Sequence, residues 1–112
     1  MEMHKFFEGQ YEKLDEIMDE VAERIRQLGH FASGSLKDYV SLGRLTEDKT
    51  SFSDQSTAVS SLLNDHETLI RIIRSDVTET SDKYKDVGTA DFLTGLMEEH
   101  EKMAWMLRAY LP

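Results

Sequence analysis

The chain has 112 residues, 39% of them hydrophobic, with 22 acidic against 13 basic side chains and a formal charge of −9. That length supports one domain, expected over 1–112, and the acidic surface repels phosphate backbones while attracting cations. With no cysteine there is neither a disulfide framework nor thiolate chemistry. No apolar stretch approaches the length of a membrane span. The amphipathic, acidic N-terminal stretch lacks the basic-then-apolar order of a secretory signal, so a cytoplasmic protein is expected.

The first predicted helix covers about 3–28. Phe7, Tyr11, Leu14, Met18, Val21, Ile25 and Leu28 alternate steps of four and three, the spacing of one helical stripe, and Gly29 ends it. A looser stretch follows, with a short helix over about 35–45 carrying Leu36, Tyr39, Val40 and Leu42 on one side. A long helix is predicted over 53–80, opened by a capping box of Ser51 and Asp54. Its stripe is Phe52, Val59, Leu62, Leu63, His66, Leu69, Ile70, Ile73 and Val77. Asp86 is the expected N-cap of a last helix over 87–110, whose stripe is Leu93, Leu96, Met97, His100, Met103, Ala104, Leu107 and Leu111. No strand pattern competes. Amphipathic helices joined by turns make an all-α bundle, here with three long helices and a short one in the mid-chain connection.

The polar side of the first helix is informative. At about 100° per residue, His4, Glu8, Asp15, Asp19 and Glu23 share one sector beside the apolar stripe. His4 with Glu8, and Asp19 with Glu23, are i,i+4 pairs whose side chains stack along the helix. Imidazole with carboxylate is a ligand set for Fe, Zn or Mn. The two pairs lie about 22 Å apart along the axis and cannot share one ion within a chain. An antiparallel copy of the helix about a two-fold axis brings together residues whose numbers sum to a constant. His4 with Glu23, and Glu8 with Asp19, both add to 27. One dyad near residues 13–14 therefore completes two equivalent sites in an isologous dimer.

The run His4-Lys5-Phe6-Phe7-Glu8, then Asp19-Glu20-Val21-Ala22-Glu23-Arg24 with Ile25-Arg26-Gln27-Leu28-Gly29, resembles the second helix of Dps-type miniferritins. Asp86-Val87-Gly88-Thr89-Ala90-Asp91-Phe92-Leu93-Thr94 opening the last helix, and Trp105 late in it, agree in order, so the resemblance covers the whole chain. It implies a ferritin-like bundle that oxidises and stores iron in a twelve-subunit shell and protects against Fe(II) and peroxide chemistry. Its ferroxidase centre lies between two-fold-related subunits. The implied iron ligands are His4 and Glu8 of one chain with Asp19 and Glu23 of its partner; the family more often has Asp at the position of Glu8. The family's first histidine, a further ligand of that centre, lies upstream of His4, so the resemblance implies an iron site short of one ligand here. The resemblance therefore implies that the first helix of the usual four, and the start of the second, are missing here. Two functions follow: a ferroxidase-type oxidoreductase storing iron, or a non-catalytic helical oligomer that has lost the activity.

Other residues carry less. His66 and His100 sit on apolar stripes as core histidines with one hydrogen bond each, and neither lies in a Glu-x-x-His di-iron motif, because Leu63 and Met97 stand three residues before them. His30 is expected in a loop. Glu79, Asp82, Asp86 and Asp91 either cap and solvate the last turn or, by the resemblance, line iron-entry pores. Glu8 and Glu12 are candidates to face a mineral cavity. The family's Lys-rich DNA-binding tail is not seen, and no intrinsic DNA binding is expected.

Overall fold

The computed structural model describes residues 3–45 and 54–112, and every regular element among them is helical. In chain order these are α1 (Met3–Gln27), α2 (Leu36–Leu42), α3 (Gln55–Asp82) and α4 (Val87–Arg108). Each matches a predicted helix to within a few residues. The chain divides into two units, Met1–Lys49 and Thr50–Pro112. Among the described residues no helix is long and apolar enough to cross a membrane.

In the first unit, α1 ends where glycine was expected to end it. Gly29 adopts φ 90, a left-handed conformation that costs a residue without Cβ little. The backbone N–H of His30 reaches the carbonyl of Ile25 at 3.1 Å and that of Gly29 reaches Arg26 at 3.0 Å, the double closure of a Schellman turn. The Arg26 guanidinium then donates to the His30 carbonyl and lies 4.3 Å above the Phe31 ring, tying the exit segment back to the helix. His30 is exposed in this connection, as expected.

The buried face of α1 is rotated from the predicted stripe. Phe6, Gln10 and Ile17 are buried, Phe7, Leu14, Val21 and Ile25 are half-buried, and Tyr11 and Met18 remain 66% and 52% exposed. A count of apolar residues centres the stripe between two directions. Only one of them is covered in the single chain. α2 starts at Ser35, whose hydroxyl accepts from the Asp38 N–H at 3.1 Å, but Tyr39, Val40 and Leu42 are exposed. The predicted apolar side of α2 is thus not core here. The side chain of Leu36 lies outside the described residues.

The second unit is an antiparallel hairpin of α3 and α4, joined through residues 83–86. Asp54 caps α3, its carboxylate accepting from the N–H and hydroxyl of Thr57. These bonds hold the Asp54 carboxyl below its ordinary range. Ser51 and Phe52, assigned to the capping box and the stripe, lie outside the described residues. Asp86 caps α4 as predicted, accepting from the Thr89 N–H at 3.0 Å and hydroxyl at 2.6 Å. Between these ends the two stripes interlock. Val59, Leu63, Ile70 and Ile73 meet Ala90, Leu96, Met103, Ala104 and Leu107, all buried, with Val59, Ala104 and Leu107 fully so. Trp105 points away from this seam and is 64% exposed. Lys85 closes the connection at φ 56, a conformation that ordinarily selects glycine.

Candidate metal centre

The first candidate ligands stand on α1, an uninterrupted helix of 25 residues. His4, Glu8, Asp19 and Glu23 are all exposed, as are Asp15 and Glu12. The helix keeps each i,i+4 pair on one face and leaves about 22 Å between the pairs. Among the described residues, no three His, Asp or Glu side chains come together within the single chain to hold a metal ion. The structure therefore presents two separate i,i+4 pairs of exposed polar side chains on one helix. At about 100° per residue, the exposed Tyr11 and Met18 border the sector that carries them. This surface joins an apolar edge to a row of hard oxygen and nitrogen donors.

Two of the four acids around the hairpin connection have local partners. Asp86 is committed to its cap, and Glu79 lies 4.0 Å from the ammonium of Lys83. Asp82 and Asp91 are exposed.

One site escaped the sequence. His66 and His100, read there as separate core histidines, meet across the hairpin with their Nδ1 atoms 2.9 Å apart and both rings buried. Burial pushes the His66 imidazole down to about 4, with the neighbouring His100 adding to the effect. Burial also lowers His100, opposed by the charge of Glu99. A signal was present: His66 lies sixteen residues before the end of α3 and His100 thirteen after the start of α4, so folding the hairpin brings them level.

A ferritin-like domain matches residues 1–112. The DNA protection during starvation protein of Helicobacter pylori is 32% identical over 110 residues, which cover 97% of this chain and 75% of that protein. The chain belongs to the Dps branch of the ferritin-like family. Within it, an uncharacterized low temperature-induced protein of Nostoc sp. is 46% identical over 109 residues. That match takes in 97% of this Dps-type chain but 61% of the Nostoc protein, so the chain spans less than two thirds of that relative's length. The crystal structure of Helicobacter cinaedi CAIP superposes with a TM-score of 0.83 at 25% identity, covering 97% of this chain and 76% of that one. The all-α bundle expected from the helix pattern, and the ferritin-like fold implied by the resemblance, are both observed.

Proposed function

We propose that this Dps-type chain binds Fe(II) between two copies of α1, oxidises it and stores the Fe(III), with iron as substrate and cargo. The observation that carries this reading is the outward-facing surface of α1: four candidate ligands, all exposed, beside the exposed Tyr11 and Met18. Pairing α1 antiparallel about a dyad near residues 13–14 sets His4 against the partner's Glu23 and Glu8 against the partner's Asp19. Two equivalent sites result. Tyr11 and Met18 supply the apolar contact that a stable interface needs, flanking the ligands instead of competing with them.

The donor set suits the chemistry. Three carboxylates and one imidazole per site favour hard, highly charged ions, so they stabilise Fe(III) over Fe(II) and make the electron easier to remove. With peroxide as oxidant, two Fe(II) each give up one electron, and the peroxide takes both with two protons to form two waters. The chain needs no nucleophile of its own. Its net charge of −9 draws in cations and repels DNA, so protection is by removal of Fe(II) and not by contact with nucleic acid. Retention of Fe(III) is assigned to a closed shell of twelve subunits.

The test is Fe(II) oxidation by peroxide, followed in the full chain beside an Asp19→Ala/Glu23→Ala variant. Loss of two ligands is expected to slow oxidation by roughly ten- to hundredfold or more, the range that even outer-shell changes reach. Equal rates overturn the ferroxidase reading and leave a non-catalytic helical oligomer. Light scattering adds a second check, because a strict monomer removes the shared site.

A further inference from the structure

The iron reading makes no use of the two most buried polar side chains of the hairpin. His66 and His100 are 2% and 5% exposed, their ring centroids lie 5.1 Å apart, and the rings are tilted by 49°. The residues one turn away are apolar, among them Leu63 and Ile70 on α3 and Leu96, Met103 and Ala104 on α4. At 2.9 Å the two Nδ1 atoms are at hydrogen-bond distance. Only one of them carries the hydrogen, so the rings must be opposite tautomers: one Nδ1–H donates, and the other Nδ1 accepts. The separation is shorter than the about 3.3 Å that two nitrogens of a tetrahedral zinc site keep, with bonds of about 2.0–2.1 Å. No third His, Asp or Glu joins the pair among the described residues.

Proton count decides what this contact does. One added proton charges the pair but leaves the N–H···N bond, at the cost of a buried cation. A second puts a hydrogen on each Nδ1, so two donors and two positive charges face each other with no acceptor between them. We infer that the His66–His100 pair is a proton-operated latch between α3 and α4, closed by one shared hydrogen and released when both imidazoles are protonated.

The charges nearby do not dissolve the latch. Glu99, beside His100, favours its charged form, while Glu67, beside His66, is engaged by Arg108 at 3.3 Å across the hairpin. Asp65 and Glu101 are the remaining acids adjacent to the two histidines in sequence, and Lys102 the nearest base on α4. Below the ordinary histidine range, release coupled to two protons changes the opening equilibrium by up to about 100-fold per pH unit, against about 10-fold for a single titrating group.

The test compares the full chain with a His66→Asn/His100→Asn variant, which keeps an amide hydrogen bond at the same positions but does not titrate there. Amide hydrogen exchange of α3 and α4 between pH 7 and pH 4 reads the opening. The wild-type equilibrium is expected to shift more steeply, by a difference approaching two protons, and nitrogen NMR of the imidazoles to show one Nδ1–H and one Nε2–H ring. A His66→Leu/His100→Leu variant gives the same comparison if the amide pair does not fold. Equal pH slopes overturn the latch, as do two rings titrating independently near pH 6.5. Stoichiometric zinc retained by the wild type and lost in the double variant also overturns it, in favour of a metal site.

Discussion

α1 and the α3–α4 hairpin are built from the same kind of sequence, long helices with apolar stripes and interspersed acids, yet they spend it differently. The hairpin answers its own needs. Its stripes cover each other, its N-caps are filled, and its buried imidazoles bond to one another. α1 buries Phe6, Gln10 and Ile17 but shows Tyr11, Met18 and its candidate ligands to the outside. In the hairpin, polar groups on an apolar face are satisfied internally. On α1 the candidate ligands stay exposed beside Tyr11 and Met18.

Substitutions separate the two regions. Leu107→Ala empties a fully buried position in the hairpin and is expected to cost about 2–5 kcal/mol in urea unfolding. Met18→Ala on α1 should change the unfolding of the isolated chain by no more than about 0.5 kcal/mol while weakening self-association measured by light scattering. A large stability loss at Met18, with association intact, would erase the distinction.

Acid is the next largest lever. The folded His66 value of about 4 lies below the ordinary 6.5, so its stabilising effect is complete above about pH 6.5 and is lost as pH falls through about 4. That difference of about 2.5 units corresponds to about 3 kcal/mol. Urea unfolding followed from pH 7 to pH 4 should show it, and the His66→Asn/His100→Asn variant should not. Smaller effects test the hairpin's ends. Asp86→Ala should cost about 1 kcal/mol through the lost cap, read as a lower urea midpoint. Lys85→Gly should raise stability by up to about 1 kcal/mol, because the residue already sits at φ 56. Destabilisation by Lys85→Gly would mean that the lysine side chain matters more than its backbone.

Much of this was legible in the residues. Local signals stood out because their physics is local: Gly29 ends α1, Asp86 opens α4, and the period of apolar residues draws α3 and α4. The direction of burial on α1 was less so, since Tyr11 and Met18 look like core to any count of apolar spacing. The periodicity marks a face, not what covers it. The His66–His100 contact was missed for the same reason. Each histidine announces that it is buried, but its partner lies 34 residues away, and only the fold of the hairpin brings the two level. The candidate metal ligands were picked out by their i,i+4 spacing, a relation the helix preserves, while iron was implied only by the family resemblance.

Trp105, the only tryptophan of the chain, turns its indole outward from α4, about a turn and a half beyond His100. The molecule thereby carries its own fluorophore on the helix that the histidine pair fastens. Its emission should be that of a wetted indole, readily quenched by acrylamide. Any event that covers that flank, assembly included, should shift the emission to the blue and protect it from the quencher, a readout that needs no label.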